Sequence, residues 1–464
     1  MLIRQADVTG VGRADVRIEA DRIAEIRQNL EARSGEIVID ADGGTLLPGL
    51  HDHHLHLLSL AKALDSLPCG PPDVSNEAQF VALLRQQAAT TPDDGRWLRG
   101  IGYHESVAGE IDRVWLDRIV PDRPLRIQHR SGRLWMFNSL GLARIATGHQ
   151  ALPPGADWAS GRFLDADDWL RTQLPAVRPS LQRASALLAR RGVIGVTDAT
   201  PSNGLPDYRH FASERALGHL RQRVLVMGGE ELDEAKEQAG VAVGPTKIHL
   251  HESALPDFDA VGARIRQSHA AGRAVAVHCV TVAELVFAAS ALVEAGRHPG
   301  DRIEHASLTP PETLDLLANS GITVVTQPNF VFERGDQYLA NLAAAEQPWL
   351  YRGRRFLDAG IPLAAGTDAP FGAPDPWRAM AAAVDRRTRG DARLNPCEAL
   401  VPEEGLALFT GSATQPGAGP RTIHAGALAD LCLLDRPWRD ARMDLAAVRV
   451  RATMGAGTLI HGPE

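Results

Sequence analysis

Through the middle of the chain, short β-rich runs alternate with long segments in which Ala, Leu and Arg recur at helical spacing. That alternation predicts repeated βα units around a parallel sheet. Eight such runs can be counted: Leu50–Leu57, Val193–Thr200, Arg223–Gly228, Thr246–Ser253, Ala274–Val280, Asp301–Ser307, Ile322–Pro328 and Ile361–Pro370. Eight units predict an α/β fold of the TIM-type (β/α)8 barrel, with its active site at the C-terminal ends of the strands. The two ends of the chain read differently. Residues 1–49 are short strands punctuated by turns, and Ala427–Asp435 and Val450–Gly462 are strand-like around a glycine turn. Neither end has enough strands for a sheet of its own, so 1–49 and 425–464 are expected to pair as one small composite β-sandwich, with the barrel spanning 50–424. The gap of about 58–191 after the first run is too long for a βα connection and predicts an inserted subdomain. Within it, 95–106 and 123–138 read as strands, and TPDDG (91–95) and LPPGADWASG (152–161) as loops.

Charge narrows the partners. With 49 Lys plus Arg against 57 Asp plus Glu, the net charge of −8 disfavours nucleic acid or an anionic membrane as the main partner. No apolar run reaches the ~18 residues a spanning helix needs, and Met1–Ala20 carries charges where a signal peptide needs an apolar stretch. A soluble, cytoplasmic protein is expected. The four cysteines form no CxxC pair, so neither a disulfide framework nor a zinc ribbon is suggested. Only Lys62, Lys236 and Lys247 among the basic residues are lysines, which makes any lysine at a costly position worth asking about.

Candidate chemistry gathers at the predicted strand ends. In LHDHHLHL, strand alternation places Asp52, His54 and His56 on one face, with His51 and His53 on the other. His278 and His305 end the fifth and sixth runs, and Asp368 closes the eighth. Taken singly, each has a bland explanation in core packing or capping. Together, four imidazoles and a carboxylate at one barrel mouth suit Zn²⁺, Fe²⁺ or Mn²⁺. Lys247 lies on the fourth run, where a bare ammonium facing the lumen would be costly and would repel a metal. Addition of CO₂ would turn it into a carboxylate-like carbamate able to bridge two cations. His249 and His251 share its face and are expected to line the same cavity, as substrate contacts or supplementary ligands.

PGLHDHHLHL, the lysine strand, the two strand-end histidines, GTDAP and the terminal GALADLCLLD together resemble the amidohydrolase superfamily, in its amidohydrolase-3 branch typified by N-substituted formamide deformylases. The resemblance covers essentially the whole chain. It implies one metal on His54, His56 and Asp368, a second on His278 and His305, and Lys247 bridging the two. It also marks departures: His251-Glu252 stands where the branch continues the lysine strand into Asp-Gly, and Ser131-Gly132-Arg133 stands where the insertion carries Asp-Gly-His. Substrate therefore does not carry over.

The expected function is hydrolysis of an amide-type C–N bond of a small molecule by a metal-bound hydroxide, with two divalent ions, zinc foremost, and Asp368 as base and then acid. Two rivals are a mononuclear deaminase of a heterocycle, which needs a glutamate just after the fifth strand, and a noncatalytic metal-loaded scaffold. Tyr103, Arg130, Arg133 and Trp135 in the insertion are expected to form a substrate wall, against the alternative that abundant arginines are structural. A homodimer is compatible with the chain.

Overall fold

Each of the eight runs forms a strand: β1 (Leu50–Leu55), β2 (Val193–Asp198), β3 (Arg223–Gly228), β4 (Val241–His249), β5 (Val275–Cys279), β6 (Arg302–His305), β7 (Thr323–Thr326) and β8 (Leu363–Ala365). They are seen in a computed structural model that describes residues 1–71, 73–91, 97–145, 152–174, 178–236 and 238–462. The strands pair in sequence order, every neighbour parallel. All six residues of β1 and of β2 are buried, as expected of strands covered on both faces. Helices Leu205–Ala216, Phe258–Ala270, Val282–Ala295, Pro311–Ser320, Asn329–Asn341 and Pro376–Asp385 follow β2, β4, β5, β6, β7 and β8. Between β3 and β4 the described residues hold only a 3₁₀ helix, Glu230–Glu234.

The ring closes at its C-terminal end. Asp368 N–H donates to His54 O (2.7 Å) and His56 N–H to Ala369 O (2.8 Å). Thr367 N–H donates to Asp52 Oδ1 at 3.0 Å, and its hydroxyl donates to Oδ2 at 2.6 Å. Gly366 makes this approach possible: a Cβ there would lie 2.4 Å from His54 N and 2.6 Å from His54 O. Gly366→Ala is therefore expected to destabilise the fold by about 1–3 kcal/mol, the usual range for overpacking, and to displace His54. A lowered apparent Tm with weakened metal retention is the expected result. Gly229→Ala, where an added Cβ meets nothing within 4 Å, is the control.

The chain divides into two units, Met1–Leu57 with Ser180–Glu464, and Leu58–Pro179. In the first, both chain ends join one eight-stranded sheet, in which Thr45–Pro48 pairs antiparallel with Leu431–Leu434. The sheet forks at Leu2–Val8, whose first half pairs with Val38–Asp40 and whose second half pairs with Thr45–Pro48, while on its other side the register with Gly12–Glu19 shifts between Ile3 and Ala6. Ile3, Val16, Leu46, Leu431 and Met454, from both chain ends, share one buried apolar cluster. The second unit is the insertion. Leu98–Tyr103, Leu125–His129 and Leu134–Phe137 are neighbours in its six-stranded sheet. Residues 92–95 of the expected TPDDG loop lie outside the described residues. The insertion ends at Pro179, and helix Gln182–Ala189 belongs to the larger unit, where Ser185 Oγ donates to Gln222 Oε1 (2.8 Å).

Candidate metal centre

The end of β1 presents two imidazoles with fixed orientation. His54 Nδ1 is hydrogen-bonded to Glu304 Oε2, and His56 Nδ1 to Thr200 Oγ1 at 2.8 Å. In both rings Nε2 is thus the nitrogen left to face the mouth, as with metal-ligating histidines held from behind by a carboxylate or hydroxyl. Asp368 Oδ1 stands 3.2 Å from His56 Nε2 and 3.5 Å from His54 Nε2, yet it is buried with no hydrogen-bond partner. Three donor atoms gathered within 4.8 Å without hydrogen-bonding one another fit a shared cation. Metal–ligand bonds of ~2.1 Å place tetrahedral ligands ~3.4 Å apart, close to the separations of Asp368 Oδ1 from each histidine nitrogen.

The remaining candidates continue this cluster. The His305 ring lies 4.7 Å from that of His54 and 4.4 Å from that of His278, and His249 stacks on His278 at 4.1 Å and on His251 at 4.5 Å. Burial pushes His305 down to about 3, pushes His249 down to about 4 and holds His278 well below the usual histidine range, with neighbouring imidazoles and Lys247 adding to the effect in His278 and His249. Neutral rings keep a lone pair for coordination. Lys247 is 2% exposed, and its Nζ has no hydrogen-bond partner. Burial pushes it down to about 8, although Glu304 pulls the other way. An orphaned buried amine beside three imidazoles and a carboxylate is a poor ammonium site and fits the carbamate chemistry expected of it.

Glu304, which the sequence does not single out, bonds His54, while Arg302 Nε donates to Glu304 Oε1 (2.5 Å) and Arg302 Nη2 donates to His53 O (2.6 Å). Burial opposes the Glu304 charge, but Arg302, Lys247 and His54 outweigh it and hold the carboxyl well below the usual range. Strand alternation places neighbours 304 and 305 on opposite faces. Glu304 reaches His54 from the regular strand, while His305 has φ 70° and Ala306 φ 45°, and at this left-handed backbone the His305 ring also comes to 4.7 Å from that of His54. Thr200 and Thr367 also hold site residues, and nothing in the sequence singles them out. His51, on the opposite face of β1, bonds Thr197 Oγ1 through Nε2 (3.0 Å).

Glu284, the carboxylate after β5 that a deaminase would call on, is the third residue of helix Val282–Ala295 and forms a capping box with the N-cap Thr281. Its oxygens accept from Glu252 N (2.9 Å), Val280 N (2.7 Å) and Thr281 N (3.1 Å). Both oxygens are committed to backbone. In the insertion, Tyr103 and Trp135, expected on a substrate wall, are core residues. Tyr103 is 1% exposed and donates to Gly109 O (2.6 Å), and Trp135 Nε1 donates to Asp167 Oδ1 (2.9 Å) beneath Arg99 and Arg126. Arg130 is exposed. Arg133, also exposed, forms a two-pronged pair with Asp165.

The amidohydrolase family model matches residues 37–462. An N-substituted formamide deformylase of Arthrobacter pascens is 25% identical, over 98% of this chain and 96% of that one. A metal-dependent hydrolase of Pyrococcus furiosus superposes with a TM-score of 0.75 at 21% identity, over 94% of this chain and 97% of that one. Atrazine chlorohydrolase TrzN of Arthrobacter aurescens TC1, complexed with zinc, gives 0.56 at 16%, over 99% and 95%. These structural likenesses bear on the fold alone, whereas the family match runs from the terminal sheet through every strand of the barrel. With that match, and with imidazoles and a carboxylate converging at the barrel mouth, the chain belongs to the amidohydrolase family and is a metal-dependent hydrolase.

Proposed function

We propose that this protein hydrolyses an amide-type C–N bond of a small molecule at a binuclear centre, with His54, His56 and Asp368 holding one divalent ion and His278 and His305 a second. Lys247, as its carbamate, bridges them. The observation that carries the reading is the approach of His54 Nε2, His56 Nε2 and Asp368 Oδ1 without a hydrogen bond among them. Bound divalent ions would acidify water and polarise a substrate carbonyl, and zinc suits a donor set of imidazole and carboxylate. Asp368 takes the proton from the attacking water and returns it to the leaving nitrogen, so that one carboxylate serves as base and then as acid. Glu304 and Thr200 keep the His54 and His56 rings aimed, which limits reorganisation during the reaction. His249 and His251, exposed beyond Lys247 on β4 and the residues after it, meet the substrate.

The test is release of amine and acid from a panel of amides, measured before chelation, after chelation and after readdition of Zn²⁺ or Mn²⁺. Turnover is expected to vanish in the metal-free protein and return with the ion. Full activity in protein shown to be metal-free would end the proposal.

A further inference from the structure

We infer that a cavity at the N-terminal end of the barrel binds a small monocarboxylate with an apolar body, at a site separate from the metal centre. The cavity measures about 510 Å³ and is lined by the first residues of β1 to β4, among them His51, Ile194, Arg223 and Val241, and by Pro48 and Leu431 of the terminal sheet. His51 precedes His54 by three residues, ~10 Å along a strand, so the cavity lies at the other end of β1 from the metal ligands. A volume of roughly 300–1,000 Å³, walled mainly by apolar side chains with a few placed polar groups, is that of a small-molecule site.

The charges lining this cavity do not balance. Arg223 and Arg421 face a single acid, Asp430. Asp430 Oδ2 accepts from Arg223 Nη2 and lies 3.7 Å from Arg421 Nη1, while Oδ1 accepts from Ala456 N–H (2.8 Å). Both carboxylate oxygens are thus engaged. Backbone carbonyls hold Arg421 in place: Nε donates to Thr410 O (3.1 Å) and Gly411 O (3.2 Å), and Nη2 donates to Gly49 O. Among the described residues, none accepts a hydrogen bond from Arg421 Nη1 or from Arg223 Nε and Nη1. His51 adds no charge, because burial, His53 and the two guanidiniums hold it well below the usual histidine range. Burial also pushes the Arg421 guanidinium down; Asp430 opposes that shift and Arg223 adds to it. One positive charge is left without a counter-ion in a partly desolvated place. A monoanion supplies it, and a carboxylate matches the fork of guanidinium N–H groups. A phosphate monoester, at about −1.5 to −2, overshoots the balance. Ile194, Ile423 and Leu428 on the walls offer apolar surface for the rest of the molecule.

The test is calorimetric titration of the full-length, metal-loaded protein with octanoate, acetate, octan-1-ol and octyl phosphate. Octanoate is expected to bind about tenfold or more tightly than acetate, which lacks the apolar body, and than octan-1-ol, which lacks the charge. Octyl phosphate is expected to bind no more tightly than octanoate. Arg223→Gln leaves Arg421 to neutralise Asp430, and is expected to weaken octanoate about tenfold or more, the worth of a charge-assisted hydrogen bond. Asp430→Asn keeps an oxygen for Ala456 N–H and removes the competing anion, so octanoate is expected to bind more tightly. The double variant is expected to return towards the wild-type affinity. Residues that only support the fold would not move affinity in opposite directions. Crystals of the wild type soaked in 8-bromooctanoate locate the ligand whether or not the variants fold, and anomalous bromine density is expected inside the cavity. No measurable octanoate binding, affinity matched by octan-1-ol or exceeded by octyl phosphate, affinity unchanged by Arg223→Gln or lowered by Asp430→Asn, or bromine at the metal centre alone would overturn the assignment.

Discussion

Asp368→Asn is expected to lower kcat by about 10²-fold or more, the range for loss of a general acid–base, with a much smaller effect on KM. Asparagine preserves the shape of the side chain and one oxygen donor but cannot take up a proton and return it. The position is tightly determined. Asp368 has φ 56°, its N–H is bonded to His54 O at 2.7 Å, and its side chain is 9% exposed between the two β1 histidines. A left-handed backbone at a residue other than glycine costs on the order of 1 kcal/mol or more, and the closure of β8 onto β1 is what maintains it. Burial opposes ionisation here, yet the histidines His56, His54 and His305 around the carboxyl hold it down to about 2, so it is a carboxylate and available as a base at neutral pH. Kinetics should be run at saturating metal with bound metal counted, because asparagine is also the weaker ligand. Near-normal kcat in a folded, metal-replete variant would move the proton transfer to another group.

The barrel was legible because its strands are β-rich runs flanked by helical segments, and this pattern survives whatever packs around them. The candidate ligands were legible for a related reason: strand ends converge in a barrel, so residues far apart in sequence, such as His56 and Asp368, can be placed at one mouth without knowing the contacts. Legibility stopped where backbone leaves the regular pattern. Alternation assigns Glu304 and His305 to opposite faces, yet both meet His54, and His305 does so where its backbone turns left-handed. The eighth run was read through Pro370, but hydrogen bonding ends the strand at Ala365, and the segment that follows folds over Asp52 and His54. The supporting residues act through isolated hydrogen bonds across the ring, one from Thr200 to His56 and two from Thr367 to Asp52, and such pairings have no periodicity to betray them. In the insertion, aromatic and basic residues suggested a substrate surface. Tyr103 and Trp135 bury their rings in that unit's own cores, because large aromatic area contributes most where it is removed from water.

Lys247→Ala is expected to lose the second metal and most activity, while Lys247→Glu, which restores a carboxylate on a shorter stem, is expected to retain more metal than the alanine variant. The argument begins with placement. Lys247 lies on β4 paired with Ala276 of β5, two residues before His278, and its Nζ is buried without a hydrogen-bond partner. A buried ammonium left unpaired is costly, and beside bound cations it would be repelled as well. Addition of CO₂ removes both problems. The neutral amine attacks the carbon of CO₂, a proton leaves the nitrogen, and the product is an anionic carbamate that cations hold in place. Burial favours the reactive form, since it pushes Lys247 down to about 8. The neutral, nucleophilic amine is therefore far more populated near neutral pH than in an ordinary lysine near 10.4. Reconstitution of metal-free protein is therefore expected to be faster with added bicarbonate, and faster at pH 8.5 than at pH 6.5, because deprotonation supplies the nucleophile. In Lys247→Glu, which already carries its carboxylate, reconstitution should not respond to bicarbonate. High-resolution density showing an unmodified amine turned from the mouth, with one metal bound to wild-type protein, would remove the bridge and leave a mononuclear centre on His54, His56 and Asp368.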